Sequence, residues 1–447
     1  MAGLAGGAVL ASPASALAKL LAVPVRAAET ATLANGLQIV VLPSRRAPII
    51  TQVVVYKVGA ADEAVGQTGI AHFLEHMMFK GTPTIAPTEF SRTISRNGGR
   101  DNAYTDFDST GYHQTISADR LELIMRMEAD RMANLRILEK ELTPERHVVL
   151  EERRTRIENV PAAQLDEAVR EQLYGRNKPY AVTVAGLADD IRRLGVGDLA
   201  AFYRKHYAPN NAVLIVAGDT TLDAVVKLAE KYYGPHPRRP IEARRRPATG
   251  GPNLPQRVIR ADARVVEPRW SRDYLAPSYR VGETRHAEAL TVLAHLLGGR
   301  ETSRLSRALV AEARVALSAW ASYSPSRLGL ATFGFSLHPA PQKTVAEAEV
   351  ALAEQMKRLL DGGVTAQEVE RTQNQLLASA IYSRDSLSTG PRIYASALST
   401  GGSVAEVESW PQRIAAVTPD AVVAAARHVW RDDLQVTSLL TPAAGSR

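Results

Sequence analysis

The chain has 447 residues, 45% of them hydrophobic, a formal net charge of +7 and no cysteine. That length exceeds one ordinary core and suits two domains of about 200 residues each, and the apolar content excludes a disordered chain. Without cysteine there is neither a disulfide framework nor a thiolate metal site, so any bound metal rests on nitrogen and oxygen.

Residues 1–28 read as a leader or signal-like segment. Residues 3–18 are rich in Ala, Gly, Leu and Val and contain Ala14-Ser15-Ala16 and Ala16-Leu17-Ala18, patterns like a secretory cleavage site, but no lysine or arginine precedes them. A signal peptide implies the periplasm; the alternative, a plain apolar leader, implies the cytoplasm. No other stretch approaches the roughly 20 uncharged apolar residues that a membrane span requires.

Apolar alternation over residues 37–42 and an apolar run over 49–58 predict strands, the second buried on both faces. A helix ending at Gly81 follows, and it carries His72-Phe73-Leu74-Glu75-His76. On a helix His72 and His76 lie one turn apart, near enough to share a cation, while Glu75 projects beside them toward a metal-bound water. The order His-x-x-Glu-His inverts the commoner zinc-protease motif and is the inverzincin form. The competing reading of the pentapeptide is an amphipathic helix with two surface histidines.

A helix over residues 87–96, strands near Asn102 and over 111–117, and a long amphipathic helix over 119–134 come next, an α+β order. Thr143 then reads as an N-cap and Pro144 as the first position of a helix that carries Glu145 and Glu152 on nearly one face. One of the two can ligate a metal while the other supports the site; the competing reading is an ion-paired helix surface. The Pro/Arg/Gly-rich residues 235–256 read as a linker. Its Arg244-Arg245-Arg246 reads as solvated surface, and with no aromatic-basic module beside it no nucleic-acid partner is expected.

Beyond the linker the plan repeats: strand-like Val265-Val266 and residues 272–275 lead into an apolar helix over 287–297. Setting His295 opposite His76 puts Thr291 opposite His72 and Ala294 opposite Glu75, so the second copy cannot bind zinc in this way.

Gly69-Ile70-Ala71-His72-Phe73-Leu74-Glu75-His76-Met77-Met78-Phe79-Lys80-Gly81-Thr82, followed by Asn102-Ala103-Tyr104-Thr105 and Val148-Val149-Leu150-Glu151-Glu152, resembles the M16 family of zinc peptidases, to which pitrilysin, insulin-degrading enzyme and the mitochondrial processing peptidase belong. The likeness extends from Asn35-Gly36-Leu37 to Tyr207-Ala208-Pro209-Asn210-Asn211-Ala212-Val213 and Gly218-Asp219, and on into the second half. It implies an α+β fold of two homologous domains, each a mainly antiparallel sheet covered by helices. The zinc-binding domain would span residues 29–234 and the degenerate one 257–447.

The resemblance also implies a site. Its spacing selects Glu152 over Glu151 as the third ligand, so one Zn²⁺ per chain would rest on His72, His76 and Glu152, with Glu145 supporting them. Zinc held this way lowers the pKa of a bound water to about 7 and polarises a scissile carbonyl. Glu75 would take the water's proton and pass it to the leaving amine. An extended peptide would pair along Asn102, Ala103 and Tyr104, and Phe79 would line a pocket for an apolar side chain or simply pack. No Gly-x-Ser-x-Gly elbow offers a different nucleophile.

The function expected is zinc endopeptidase within a closed chamber; the alternative is a non-catalytic structural or assembly subunit of the same fold. In the family, the half facing the zinc site typically supplies an arginine and a tyrosine. Within Ser303-Arg304-Leu305-Ser306-Arg307-Ala308-Leu309-Val310-Ala311-Glu312-Ala313-Arg314-Val315-Ala316-Leu317, those positions hold Val310 and Leu317, which donate no hydrogen bond. A heterodimer with a homologous subunit that lacks the zinc motif and brings the Arg/Tyr pair is therefore expected. Arg314 and Tyr323 are the nearby substitutes.

Overall fold

The computed structural model of the chain describes residues 13–21, 27–246 and 256–443. Part of the leader (1–12 and 22–26) and part of the linker (247–255) lie outside the described residues. Pro13–Leu21 forms α1, which contains both alanine-rich triplets and sets Leu17 and Leu20 against the core of the second half. Among the described residues no helix is long and apolar enough to cross a membrane.

The first half runs β1 (Glu29–Thr32), β2 (Gln38–Pro43), β3 (Ile49–Tyr56), α2 (Ile70–Met77), α3 (Glu89–Arg96), β4 (Arg100–Thr105), β5 (Thr110–Ser117), α4 (Leu121–Asn134), α5 (Glu139–Arg153), α6 (Pro161–Tyr174), α7 (Ala188–Arg193), α8 (Val196–His206), β6 (Ala212–Gly218) and α9 (Leu222–Tyr232). Its six strands lie in the order β1-β2-β6-β3-β5-β4, antiparallel except for the parallel pair β2/β6. The second half runs β7 (Gln256–Asp262), β8 (Arg269–Ala276), α10 (Ala287–Gly298), β9 (Ala316–Tyr323), β10 (Ala331–Pro339), α11 (Val345–Gly362), α12 (Ala366–Asp385), α13 (Thr389–Ser399), α14 (Val404–Glu408), α15 (Trp410–Ala415), α16 (Pro419–Val429) and β11 (Gln435–Pro442). Its order, β7-β11-β8-β10-β9 with β7/β11 parallel, repeats β2-β6-β3-β5-β4 strand for strand. The fold is α+β with two homologous, mainly antiparallel halves.

Alternation along β3 shows how each sheet is covered. Ile50, Val54 and Tyr56 enter the helix-covered core with α2, α4, α8 and α9, while Val53 and Val55 face the other way, against Tyr394, Ala395 and Leu398 of α13. The converse holds in the second half, where Leu165, Val169 and Leu173 of α6 pack on Leu275, Val436 and Leu440. Each sheet thus takes one covering helix from the other half.

Three sequence expectations need correction. The helix bearing Glu145 and Glu152 begins at Glu139, so Pro144 is interior and Thr143 is no cap; its hydroxyl donates instead to Glu139 (2.8 Å). The proline is tolerated because the amide it lacks would have bonded Lys140, in the solvent-exposed first turn. Val265-Val266 lies in the turn between β7 and β8, with Val266 exposed; the strand is the alternating 256–262 stretch before it. The Arg244–Arg246 segment is not all solvated surface: Arg245 is exposed, but the Arg246 guanidinium is buried, 2.7 Å from Asp62 and 3.3 Å from Asp108. Asp108 in turn accepts from Tyr180 (2.9 Å) and from the Leu328 N–H of the second half (3.1 Å), so a buried ionic cluster ties the linker to both halves.

Candidate metal centre and peptide cleft

The sequence of α2 sorts itself by face. Ile70, Ala71, Phe73, Leu74 and Met77 are buried in the first core, which leaves His72, Glu75 and His76 toward a cleft. At the start of the helix Gly69 sits at φ +87°, where a side chain would be strained. The Glu63 carboxylate does the capping from a distance, accepting from the N–H groups of Gly69 (2.8 Å) and Ala71 (3.0 Å). Burial pushes the Glu63 carboxyl up to about 8.

α5 packs across α2 and brings Glu152 to both imidazoles: His72 Nε2 to Glu152 Oε1 is 3.6 Å and His76 Nε2 to Glu152 Oε2 is 3.3 Å. The two rings stand 4.8 Å apart and nearly perpendicular, at 82°. A tetrahedral zinc site with bonds of about 2.0–2.1 Å has edges of roughly 3.3 Å, and the two histidine–glutamate separations lie close to that value. His72, His76 and Glu152 form the metal-capable group among the described residues, their donor atoms all within 4.8 Å of one another.

The surroundings orient these donors. Glu145 Oε1 lies 2.8 Å from His76 Nδ1, and its other oxygen meets the Lys80 ammonium. With Nδ1 held by Glu145, the ring presents Nε2 toward Glu152. Burial works against ionisation of Glu145, but the bonds from His76 and Lys80 hold its carboxyl below the usual range. His72 and His76 hold the Glu152 carboxyl far below it. Burial favours neutral His76, yet Glu145 and Glu152 together raise it to about 9. His72 Nδ1 is buried with no partner among the described residues. Glu151 turns outward and pairs with Arg154 at 2.8 Å.

Glu75 has a partner that no role was assigned to in the sequence. The Thr105 hydroxyl donates to Glu75 Oε2 at 2.5 Å, from the last residue of β4. Among the described residues β4 ends its sheet and pairs only with β5, so its outer edge borders the cleft unpaired. Asn102, Ala103, Tyr104 and Thr105 line that cleft, a cavity of about 770 Å³. Asn102 Oδ1 accepts from the Ala103 N–H at 2.9 Å, and the Tyr104 ring lies across Gly111, where a Cβ would meet it at 2.5 Å. Arg392 of α13 reaches over the same ring, 5.1 Å from its centroid. Phe79 both lines the cleft and packs, with Phe90 and Tyr112 each 6.3 Å away.

The corresponding place in the second half is built alike and equipped differently. His295 Nε2 lies 3.2 Å from Gln375 Oε1, as His76 lies against Glu152, and Gln375 follows Glu368 at the interval that separates Glu152 from Glu145. Thr291 bonds the Ala287 carbonyl of its own helix (2.9 Å). Val310 packs partly into the second core and Leu317 is 48% exposed. Of the two nearby substitutes, Arg314 stands on an exposed turn at φ +52°, and the Tyr323 hydroxyl is already committed to the Pro277 carbonyl at 2.6 Å.

Comparison with known proteins bears on both halves. Residues 39–186 match the family described as Insulinase (Peptidase family M16), and residues 193–376 match Peptidase M16 inactive domain. The zinc protease PqqE of Helicobacter pylori is 31% identical, over 82% of this chain and 82% of that protein. The crystal structure of a protease from Helicobacter pylori superimposes with a TM-score of 0.86 at 27% identity, covering 94% of this chain and 100% of the other. The first half of the periplasmic protease PqqL from Escherichia coli shares the fold, with a TM-score of 0.79 at 20% identity over 94% and 92% of the two chains. A likeness of this extent, met in both halves in the same order, makes the chain a member of peptidase family M16.

Proposed function

We propose that this chain is a zinc-dependent endopeptidase, the catalytic subunit of a heterodimer that encloses peptides in extended form. The observation that carries the reading is the coincidence, in one cleft, of three donor atoms within 4.8 Å of one another, a separate carboxylate on the same helix face, and an unpaired strand edge. Zinc held by His72, His76 and Glu152 supplies a Lewis acid that acidifies water and polarises a carbonyl. Glu75 takes the proton of the attacking water and delivers it to the leaving amine, and Thr105 keeps the carboxylate turned to that task. The edge of β4 pairs with the backbone of the substrate, which fixes its direction without demanding a sequence.

The partner follows from Val310 and Leu317. Neither stabilises an oxyanion, so a subunit of similar fold bringing an arginine and a tyrosine completes the site. Purified chain is to be assayed on a fluorogenic peptide with and without such a subunit. Hydrolysis well above that of either alone supports the reading; full activity of this chain as a homodimer removes the heterodimer, and zinc-free, inert protein in both arms removes the peptidase.

A further inference from the structure

Beside the place where it has lost the metal set the second half keeps a cleft, lined by Thr291 but not by His295 or Gln375. One turn beyond Gln375, α12 carries Ser379 and Ala380, as α5 and the turn after it carry Arg156 and Ile157 beyond Glu152. α13 supplies Ile393 and Ala397 to the second cleft, where α6 supplies Asp166 and Arg170 to the first. The result is a cavity of about 350 Å³ with Leu376, Ala380, Ile393 and Ala397 in its floor and Tyr279 and Trp410 as aromatic walls.

Its charge is unbalanced at one point. Arg280 is paired with Glu406, and Arg413 with Glu288 at 2.6 Å, so both guanidinium groups are neutralised. Arg384, half-buried at the end of α12, donates to the Val407 carbonyl and has no carboxylate partner among the described residues. The hydroxyls of Ser379 and Ser383 stand on the same helix, one turn apart, and also line the cavity. An apolar floor beside one uncompensated guanidinium matches an apolar side chain attached to a carboxylate. The volume is at the low end for ligand sites and suits the end of a chain.

We infer that the second half is a docking site for the C-terminus of a peptide, whose last residue places an aromatic or branched apolar side chain on this floor and its carboxylate on Arg384. The inference rests on the peptidase reading only in naming a peptide as the ligand. It needs no metal and no counterpart of Glu75.

The test uses the full chain as Glu75→Gln, so that nothing is cut, and a fluorescein-labelled hexapeptide ending in Leu-Phe, followed by anisotropy. The free acid is expected to bind, to remain bound after zinc is stripped, and to bind about tenfold more tightly than its C-terminal amide, the scale of a hydrogen bond to a charged group. Arg384→Gln should abolish the difference between acid and amide, and Ser379→Trp, at an exposed position on α12, should block binding of both. Equal binding of acid and amide, loss of binding with the metal, or a peptide amide with an internal glutamate binding as well as the acid would each overturn the inference. Hydrolysis by the unsubstituted chain is measured separately: its absence removes the peptidase reading and leaves zinc-independent, acid-selective binding standing.

Discussion

Two helix crossings, α2 over α5 and α10 over α12, are the same construction with different contents. In both, a histidine meets the same position of the second helix, Glu152 at 3.3 Å in one and Gln375 at 3.2 Å in the other. Gln375 keeps the hydrogen bond of a glutamate without its charge, and Thr291 and Ala294 stand in place of His72 and Glu75. The difference teaches that the scaffold tolerates loss of the metal set, because the packing beneath it is carried by other residues. Ile70, Phe73, Leu74 and Met77 on one side and Leu290, Leu293 and Leu297 on the other are buried whatever the exposed face presents.

The sharpest way to break this comparison is to exchange the contents. His72→Ala or Glu152→Ala should empty the first site, taking zinc from about one per chain to background and abolishing hydrolysis. Thr291→His combined with Gln375→Glu should create a second site and raise the content to about two per chain, measured by plasma mass spectrometry. No second zinc in a folded double variant would mean that the two crossings are not equivalent.

Next in size is Glu75→Gln. Zinc should stay bound while kcat falls about 10²–10⁴-fold, the range for a lost general base. Near-normal turnover would assign the base to another residue. Thr105→Val should act through Glu75, lowering kcat about tenfold with zinc unchanged, and Thr105→Ser should restore it, since only the hydroxyl matters. A change in KM alone would make Thr105 a substrate contact.

The smallest effects belong to residues outside the crossings. Glu151→Gln should leave zinc and turnover as they are, because Glu151 faces Arg154. In the second sheet, burial pushes the Asp273 carboxyl up to about 7, with Asp166 adding to the shift and Arg170 opposing it. The folded chain therefore holds this proton more tightly than the unfolded chain, and the group costs stability as pH rises from the ordinary carboxylate range through 7. Asp273→Asn should raise the melting midpoint at pH 8 and not at pH 4; an equal gain at both would remove burial as the cause.

Much of this was legible in the sequence, for reasons that differ by residue. His72, Glu75 and His76 are local: helical spacing alone puts them on one face. Glu152 is remote, and its selection over Glu151 came from likeness to a family and not from periodicity. Thr105 carried no signal of its own, because its bond to Glu75 exists only once β4 and α2 are packed together. The exchange of α6 and α13 between the sheets was likewise hidden, since an amphipathic helix records that it has an apolar face but not which sheet covers it. Pro144 misled for a related reason: proline is commonest at a helix start, yet an exposed early turn accepts it.

The central claim, that one crossing holds zinc and the other does not, is tested most directly by anomalous diffraction at the zinc edge from crystals of the purified chain. The account predicts a peak between His72 Nε2, His76 Nε2 and the Glu152 carboxylate, and none beside His295 and Gln375. An absent first peak, or one of equal height in the second half, would contradict it.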